Sequence, residues 1–271
     1  MVSDSTSASD DPVYRERFGA LGRVYGTAAL GALADMHVCV VGIGGVGSWT
    51  AEALARSGVG SLTLIDPDDV ALSNTNRQLI ALDATVGRPK VDVLAERIAA
   101  INPTCRCLRV EDTLVENNLE RLITPAFDYV VDAIDSIRFK AALIHYCKRQ
   151  KIPIITTGGA GGRRDPLAVG ISDLSRTWND ALAAKVRSRL RADYGFTKNP
   201  KRRFSVECVF SSEQPRYPSE AGEVSYARPG IKGVDLDCEQ GYGSASFVTG
   251  VFGLVAASRV VNKVLERRLG G

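Results

Sequence analysis

The chain has 271 residues, of which 45% are hydrophobic and 24% are charged, as in a soluble globular protein large enough to bury a full core. Its formal charge of +3 is too small to indicate nucleic-acid binding by itself. The six cysteines include no Cys-x-x-Cys pair, and the two histidines, His37 and His145, are far apart. We therefore predict reduced, mostly buried thiols in a cytoplasmic protein and no structural zinc.

The amino-terminal stretch is small and polar, without the basic start and apolar core of a signal peptide. We predict a disordered tail over residues 1–11. Residues 12–34 then follow a helical pattern that carries Arg15, Arg17 and Arg23.

Residues 36–47, MHVCVVGIGGVG, combine a strand of β-branched residues with a glycine turn. A helical pattern follows over 48–57. Glycine suits this turn because a phosphate contacts backbone N–H groups only where no Cβ intervenes, and the following helix offers further N–H groups. A second strand then ends at Asp66, which can bind a ribose. The pattern predicts an adenine-nucleotide site. Its candidate glycines are Gly42, Gly44, Gly45 and Gly47.

Strands and helices of similar length continue to alternate after this unit, which predicts an α/β protein with a doubly wound, largely parallel sheet. We expect helices over 91–102 and 137–150 and strands over 105–110, 128–131 and 152–157.

The carboxyl-terminal part is less regular. We expect a strand over 167–171, a helix over 179–192 and a strand over 204–210. Residues 213–243 are polar and rich in proline and glycine, as in a flexible crossover or lid. The apolar stretch 244–261 is short for a membrane span and contains an arginine, so we predict a buried helix and no membrane insertion.

Several charged and amide side chains lie just after the predicted strands or at the starts of predicted helices. Cleavage of ATP between its α and β phosphates requires cations and usually a divalent metal. Arg77 and Lys90 are the phosphate candidates and Asp135 the metal candidate, while Asn74 and Gln78 can orient a phosphate or an acyl oxygen. Singly, the two cations would be surface charges and Asp135 a helix N-cap. Together with the glycine turn, they favour an ATP site.

These motifs resemble a known superfamily. GIGGVG, LIDPDDV, SNTNRQ, GRPK and DAIDS are similar to segments of the ubiquitin-activating and MoeB/ThiF-type adenylating enzymes. RFGALGRVYG, TTGGAGG, ECVFSSE and the late Asp237-Cys238 resemble the bacterial tRNA threonylcarbamoyladenosine dehydratases over nearly the whole chain. The resemblance implies a Rossmann-like ThiF/MoeB fold: one domain over 12–271, with a nucleotide-binding half (12–157) and a half facing substrate and tRNA (158–271).

The resemblance also implies residue roles. The four glycines would line the adenosine and the α-phosphate, Asp66 would hold the ribose, and Asp135 would hold Mg²⁺. Arg77 and Lys90 would bind the phosphates. In these homodimers an amino-terminal arginine reaches the partner's ATP; Arg23 is the best match, with Arg15 and Arg17 as alternatives. The zinc-binding Cys-x-x-Cys pairs of the sulfur-carrier branch are missing here.

The implied substrate is the threonine carboxylate of threonylcarbamoyladenosine in tRNA. Its attack on the ATP α-phosphate would give an acyl-adenylate, and a neighbouring group of the same side chain could then close a ring and expel AMP, with loss of one water. The enzyme's contribution would be positioning and electrostatic stabilisation.

Related activating enzymes capture the acyl group on a cysteine, and Cys238 is the candidate nucleophile. The flanking Asp237 and Glu239 would raise the pKa of this thiol and disfavour the thiolate. Because ring closure can be intramolecular, no nucleophilic thiol is required. We favour a bystander cysteine, or one that contacts a cysteine-desulfurase or sulfur-acceptor protein.

The small net charge hides a basic segment, residues 185–203, where eight basic residues and one acid give +7 and leave the rest of the chain at −4. Tyr194 and Phe196 could stack on unpaired bases, and Arg163 and Arg164 could extend the surface. A solvated basic helix and loop is the alternative. We predict a tRNA-binding surface whose central residues are Lys198, Lys201, Arg202 and Arg203.

Three other functions compete with the dehydratase. An adenylyltransferase for the C-terminus of a ubiquitin-like or sulfur-carrier protein would share the ATP chemistry, but such carriers present no polyanion to the basic segment. An NAD-dependent oxidoreductase would explain Gly42-x-Gly44-x-x-Gly47 and Asp66 but would leave Arg77, Lys90 and Asp135 without a role. A catalytically silent nucleotide-binding partner is the third alternative.

Overall fold

The computed structural model describes residue 9 and residues 11–219, 222–226 and 243–270. The α-helices within this part of the chain are α1 (Pro12–Tyr25), α2 (Ala28–Ala34), α3 (Gly47–Arg56), α4 (Lys90–Ile101), α5 (Leu119–Leu122), α6 (Ile137–Gln150), α7 (Ala181–Asp193) and α8 (Ser246–Leu269). The strands are β1 (His37–Val41), β2 (Ser61–Ile65), β3 (Arg106–Val110), β4 (Tyr129–Asp132), β5 (Ile154–Thr157), β6 (Val169–Asp173), β7 (Glu207–Ser211), β8 (Tyr217–Pro218) and β9 (Val224–Ser225).

The first seven strands form one sheet in the order β3-β2-β1-β4-β5-β7-β6. Neighbouring strands are parallel except β6 and β7, which are antiparallel. The chain runs outward from β1 to β3 and restarts on the other side at β4, so the strand order reverses between β1 and β4. The predicted doubly wound, largely parallel sheet is confirmed. Ligands of such sheets bind at the carboxyl ends of the strands beside this reversal.

Strand β1 shows how the two faces of the sheet are covered. Val38 and Val40 belong to the apolar core on one face, and Cys39 and Val41 to the core on the other, because successive side chains of a strand alternate. Helices α2, α3, α4 and α8 cover the first face, and α5, α6 and α7 cover the second. Burial on both faces explains why the strand reads as a nearly continuous apolar run.

The last helix, α8, is apolar and lies against α3. Of the described helices it alone has the length and hydropathy to cross a membrane, and 61% of its apolar 18-residue window is buried inside the protein. Arg259 in its middle pairs with Glu207 of β7, with Nε 2.8 Å from Oε2. The predicted buried helix over 244–261 is confirmed, and it runs further because Val264 and Leu265 continue its buried face.

Boundaries in the first half agree with the prediction to within two residues, apart from the helix predicted over 12–34. That segment forms two helices, α1 and α2, because Gly26 has a positive φ of 87° and ends the first one. In the second half, β6 and β7 begin two and three residues later than the strands predicted over 167–171 and 204–210.

Two predicted segments fall largely outside the described residues. Of the tail over 1–11, only residues 9 and 11 are described. Of the crossover over 213–243, the described part includes a two-stranded hairpin in which β8 and β9 pair antiparallel. Cys238 and its acidic neighbours lie outside the described residues.

Candidate active site

A pocket of about 700 Å³ opens at the carboxyl ends of β1, β2, β4 and β5, beside the reversal of strand order. We call it the switch-point pocket. The fold brings nine predicted site residues from distant segments to its wall: Gly42, Gly44, Gly45, Asp66, Asn74, Arg77, Gln78, Lys90 and Asp135. Gly47, Arg23 and the four central basic-segment residues are not among those lining this pocket.

The glycine turn between β1 and α3 has two positions that only glycine fits. Gly42 has a φ of 87°, and a Cβ there would lie 2.8 Å from the carbonyl oxygen of Ala133. A Cβ on Gly47 would lie 1.7 Å from the carbonyl oxygen of Gly42. Gly47 thus allows the turn to close and α3 to begin, whereas Gly44 and Gly45 present backbone to the pocket.

Asp66 ties the end of β2 to the glycine turn. Its Oδ2 accepts a hydrogen bond from the backbone N–H of Ile43, and its Oδ1 accepts one from the N–H of Asp68 at 2.9 Å. Burial raises the pKa of Asp66, while the nearby ammonium of Lys90 and the two N–H donors oppose this shift. The carboxylate therefore orients the turn and keeps acceptor capacity on the pocket side.

Lys90 is a nearly buried lysine at the start of α4, only 6% exposed. Its Nζ lies 2.8 Å from Oδ2 of Asp68 and 3.9 Å from Oδ1 of Asp66. The Asp68 side chain is 63% exposed. A cation held in the wall by one exposed carboxylate can exchange that partner for a phosphate oxygen. The alternative interpretation of Lys90 as a solvated surface charge is wrong, because the side chain is buried.

The backbone of Arg77 is held by side chains of α3 and α8. Its carbonyl oxygen accepts hydrogen bonds from Trp49 Nε1 at 3.1 Å and from the hydroxyl of Thr249 at 3.2 Å. The guanidinium donates to the carbonyl oxygen of Ser73 and to Oδ1 of Asn76, and no carboxylate lies within 4 Å of it in the described part of the chain. The positive charge therefore remains available to an anion.

The two amides of this segment differ in what they contact. Oδ1 of Asn74 accepts the N–H of Ala71 at 3.1 Å, so Asn74 stabilises the turn that carries Arg77. Gln78 is 7% exposed, and its Oε1 is buried with no partner among the described residues. Because buried polar atoms are normally satisfied, this oxygen indicates a ligand or a water in the pocket.

Asp135 follows β4 and is exposed at the pocket wall. Its carboxylate makes no hydrogen bond or ion pair with any described residue, and the N-cap of α6 is Ser136, so Asp135 is not the N-cap. Mg²⁺ in nucleotide sites is commonly held by one or two carboxylates together with substrate phosphates. One free carboxylate in a pocket that also contains the cations Arg77 and Lys90 fits that requirement.

Sequence reasoning missed a buried ion pair beneath the pocket. Nζ of Lys140 lies 2.9 Å from Oδ2 of Asp132, and both residues are at most 1% exposed. Thr156 donates to the same oxygen at 2.7 Å. Burial raises the pKa of Asp132, and Lys140 opposes that shift. The pair fixes the end of β4, three residues before Asp135; a lysine among the apolar residues of α6 was the available signal.

The glycine-rich wall after β5 is held by a second buried cation, Arg163, which is 5% exposed. The prediction that Arg163 extends an RNA-binding surface is therefore wrong. Its guanidinium donates to the carbonyl oxygens of Gly159 (2.9 Å), Ser211 (3.1 Å), Asn179 (2.7 Å) and Glu213. Three segments, around Gly159, Asn179 and residues 211–213, are thus joined at one side chain. Arg164, in contrast, is exposed.

Asp180 completes this junction. It caps α7 by accepting the N–H of Ala183 at 2.8 Å, and it accepts the N–H of Gly159 at 3.0 Å. A Cβ on Gly158 would lie 1.9 Å from Oδ2 of Asp180, which explains why the wall is glycine there. Arg163 lies 3.9 Å from the same oxygen. Burial raises the pKa of Asp180, while the N–H of Ala183 and the positive charge of Arg163 oppose this shift.

The central residues of the basic segment lie in the loop between α7 and β7. All four are exposed, and none forms an ion pair with a described residue: Lys198, Lys201, Arg202 and Arg203. The rings of Tyr194 and Phe196, predicted to stack on bases, pack against other rings of the protein. Tyr194 stacks on His145 with ring centroids 4.6 Å apart, and Phe196 packs against Phe204 at 5.0 Å. The cationic part of the predicted surface is thus accessible, and its aromatic part is used for packing.

The three arginines of α1 differ in their surroundings. Arg15 donates to the carbonyl oxygen of Ser9 at 2.9 Å, and Arg17 to that of Ile101 at 3.1 Å. Arg23 is exposed in the last turn and makes no hydrogen bond or ion pair with any described residue. It therefore has the most freedom of the three to contact another molecule.

The five described cysteines are unpaired thiols, and three of them are buried. Burial raises the pKa of Cys147 to about 12 and that of Cys107 to about 11, which disfavours their thiolates. The prediction of reduced, mostly buried thiols is confirmed for this set, none of which lines the switch-point pocket.

Comparison with known proteins agrees with this geometry. The model of the ThiF family matches residues 18–269, and the chain therefore belongs to the ThiF family. It is 51% identical over 255 residues to the tRNA threonylcarbamoyladenosine dehydratase of Escherichia coli (strain K12), covering 94% of this chain and 95% of the relative. It is 40% identical to the Bacillus subtilis (strain 168) protein of the same name, covering 89% and 91%. Within that family, the chain is thus similar over nearly its whole length to proteins named tRNA threonylcarbamoyladenosine dehydratase.

Solved structures support the same placement. The E. coli tRNA N6-threonylcarbamoyladenosine dehydratase in complex with ATP superimposes with a TM-score of 0.85 at 47% identity, covering 96% of this chain and 98% of that one. The structure named TcdA (CsdL) gives a TM-score of 0.89 at 48% identity, with the same coverage. The predicted fold class and the resemblance are confirmed.

Proposed function

We propose that this chain catalyses the ATP-dependent dehydration of threonylcarbamoyladenosine in tRNA. One combined observation carries the proposal: near full-length similarity to named dehydratases, together with a glycine-lined pocket that holds Arg77, Lys90 and Asp135. The first competing function, an adenylyltransferase, is represented by the molybdopterin-synthase adenylyltransferase of Escherichia coli (strain K12). This relative matches only 46% of this chain. A nicotinamide enzyme would leave the two cations and the free carboxylate without a role.

The reaction begins at the threonine carboxylate, a poor electrophile. One of its oxygens attacks the α-phosphorus of ATP, the bond to the β-phosphate breaks, and pyrophosphate leaves. A neighbouring group of the same side chain then attacks the acyl carbon, and AMP departs with the former carboxylate oxygen. The net change in the nucleoside is the loss of one water.

The residues of the switch-point pocket have separate roles in these steps. The backbone of Gly44 and Gly45 approaches the α-phosphate, while Arg77 and Lys90 neutralise the charge that develops on the departing pyrophosphate. Asp66 accepts from the ribose hydroxyls through lone pairs that the backbone donors leave free. The buried Oε1 of Gln78 accepts a hydrogen bond from the bound substrate. No side chain in this scheme forms a covalent bond.

We assign Mg²⁺ to Asp135. The described residues contain no group of three or more histidine, cysteine, aspartate or glutamate side chains placed to hold a metal, so the ion would depend on Asp135 and the nucleotide phosphates. When bound, it would neutralise charge on the phosphates and on the leaving pyrophosphate.

We also propose a homodimer in which Arg23 reaches the partner's switch-point pocket. Arg23 is exposed but does not line the pocket of its own chain, so an arginine acting on ATP from this position must come from another copy. Large apolar side chains remain exposed on α8 and beside it: Phe247 is 55%, Leu254 49% and Leu167 92% exposed. Such side chains suit a subunit interface.

Mixing two inactive variants tests this arrangement. Arg23→Ala and Lys90→Met each disable the composite site, but a mixed dimer contains one site with both residues intact. We expect activity to return when the two variants are unfolded and refolded together, and not when either is refolded alone. No recovery, despite dimers in solution, would exclude the role of Arg23 across the interface.

We place the protein in the cytoplasm, where tRNA is present and thiols stay reduced. The tRNA surface is proposed to include the basic segment. The predicted contact with a cysteine-desulfurase or sulfur-acceptor system, and any use of Cys238, concerns residues that the structure does not describe and stays a prediction.

A single assay tests the central proposal. Purified protein is incubated with ATP, Mg²⁺ and tRNA that carries threonylcarbamoyladenosine. AMP and pyrophosphate are measured, and the nucleosides are analysed by mass spectrometry. We expect one AMP for each modified nucleoside that becomes lighter by one water. AMP release with a ubiquitin-like or sulfur-carrier protein but not with tRNA would contradict the proposal.

A further inference from the structure

A second cavity, of about 400 Å³, lies beside the first turns of α7. We call it the α7 cavity. Leu182 lines the switch-point pocket, whereas Ala181 and Ala184 line the α7 cavity, so the two spaces lie against different sides of the same helical turn. The rest of its wall includes one carboxylate residue, Asp180, together with Arg187, Gln214, Tyr217 and Tyr226. The catalytic scheme above uses none of these side chains.

Arg187 is a partly buried cation whose charge is not balanced by contact. Its guanidinium donates to the hydroxyl of Thr177, and no carboxylate oxygen lies within 4 Å of it in the described residues. Burial and the neighbouring Arg191 lower the pKa of Arg187, and the more distant carboxylate of Asp180 opposes this shift; the guanidinium stays charged at neutral pH. A desolvated cation without a carboxylate partner favours the arrival of an anion.

Tyr226 supplies an oriented aromatic surface. The guanidinium of Arg216 lies 4.8 Å from the ring centroid and donates to the phenol oxygen at 2.9 Å. The residue nevertheless remains 52% exposed. The pairing of Tyr217 with Ser225 in the β8–β9 hairpin places Tyr226 beside the cavity. Exposed aromatic rings together with arginines form surfaces on which unpaired bases stack.

The junction at Arg163 connects the two spaces. Arg163 binds the carbonyl oxygen of Gly159, in the wall of the switch-point pocket, and that of Asn179, in the wall of the α7 cavity. Helix α7 also leads from the cavity into the rest of the basic segment. A chain of nucleotides that runs along α7 toward its first turn would reach the turn that lies between the α7 cavity and the switch-point pocket.

We propose that the α7 cavity binds an unpaired nucleotide next to the modified adenosine of the RNA substrate, with its phosphate at Arg187 and its base on Tyr226. This inference rests on the proposed function. An RNA loop supplies both an anion and a planar base, which together match the two features of the cavity. An acidic peptide would satisfy Arg187 alone. The aromatic partner in RNA recognition is thus Tyr226, in place of the occupied rings of Tyr194 and Phe196.

The test uses the full-length protein and an anticodon stem-loop RNA that carries threonylcarbamoyladenosine. Fluorescence anisotropy measures the affinity of Tyr226→Leu and Arg187→Gln. We expect each variant to bind the RNA about tenfold more weakly, within the range known for one base stacked on an aromatic ring. Arg187→Gln should also lower the salt slope by about one, as expected for one phosphate contact.

Two further variants sharpen the result. Tyr226→Phe keeps the ring and should retain most of the RNA affinity. Arg109→Gln removes an exposed arginine of β3, at the far edge of the sheet, and should leave RNA affinity and its salt slope unchanged. Wild-type affinity in both Tyr226→Leu and Arg187→Gln would overturn the proposal, as would an equal loss in Arg109→Gln.

Turnover separates this inference from the proposed function. If the α7 cavity binds a nucleotide that flanks the modified adenosine, Tyr226→Leu should raise the KM for tRNA more than it lowers the kcat. If wild-type protein binds the stem-loop but converts neither it nor tRNA, the proposed function fails, while the affinities still decide the role of the cavity. If wild-type protein converts tRNA and both variants show the wild-type KM, the cavity proposal fails alone.

Discussion

The two sides of the switch-point pocket are built by different means. On the side of β1 and β2, backbone and local motifs form the wall: a glycine turn, an aspartate at a strand end and a lysine at a helix start. On the side of β4 and β5, buried charged groups support the wall from behind: Asp132 with Lys140, and Asp180 with Arg163. The first side places backbone and side chains in the pocket wall itself, whereas the second is supported by buried side chains that do not line the pocket.

The comparison indicates how each side should respond to mutation. Residues on the first side are proposed to contact the nucleotide, so their loss should reduce turnover more than stability. The ion pairs on the second side are enclosed by the protein, so their loss should reduce stability or geometry first. Buried pairs broken on one side only leave an uncompensated charge, and that cost is large.

The largest effect is expected for Lys140→Met. Removing this cation leaves Asp132 buried without its partner, and we expect the free energy of unfolding to fall by about 3–5 kcal/mol. Urea denaturation measures this fall in the free energy of unfolding. Lys148→Met, an exposed position on the same helix, is the matched control. A loss within about 0.5 kcal/mol, the usual range for a surface substitution, would show that the pair does not support the β4 side.

The pH dependence of that variant follows from Asp132. Burial raises the pKa of this carboxyl, and loss of Lys140 should raise it further. A raised folded-state pKa adds stability below the unfolded pKa, and this contribution is lost as pH rises through the folded pKa. The destabilisation should therefore be smaller near about pH 5 than near about pH 8. The opposite trend would mean that Asp132 is not the group left unpaired.

The next largest effect is expected for Lys90→Met, on the first side. It removes a charge that is proposed to neutralise the departing pyrophosphate, and we expect the kcat of the folded variant to fall about 10²- to 10³-fold. AMP release measures this change. Arg88→Gln, an exposed neighbour paired with Glu96, is the control. Near-normal turnover in Lys90→Met would remove Lys90 from the phosphate site.

The same contrast explains what the sequence could predict. The strand, glycine turn, helix and strand-end aspartate have local signatures, so nine of the predicted pocket residues are found together. Arg163 has no such signature: an arginine after a glycine-rich loop looks like a surface charge, and only the fold shows its buried carbonyl partners. Tyr194 and Phe196 illustrate the same point, because exposure of an aromatic ring depends on what packs against it.

A smaller effect is expected for Arg163→Lys, which keeps the charge but loses the planar group that reaches four carbonyl oxygens. We expect kcat/KM to fall about tenfold, equivalent to about 1.4 kcal/mol, chiefly through the KM for RNA. Steady-state kinetics with ATP and tRNA varied separately measure it. Arg164→Lys is the exposed control. A fall in kcat with both KM values unchanged would contradict a positioning role for Arg163.

The smallest effect on turnover is expected for the joint substitution of Lys201, Arg202 and Arg203 by glutamine. These residues lie outside the switch-point pocket, so kcat at saturating tRNA should stay near the wild-type value. Since each phosphate contact contributes about one to the salt slope, the dependence of log affinity on log salt should flatten by up to about three. Glutamines at three exposed arginines elsewhere, Arg56, Arg106 and Arg109, control for net charge. An equal change in both triple variants would mean that the basic segment acts only through the overall charge of the protein, and the RNA path would then have to reach the pocket from another direction.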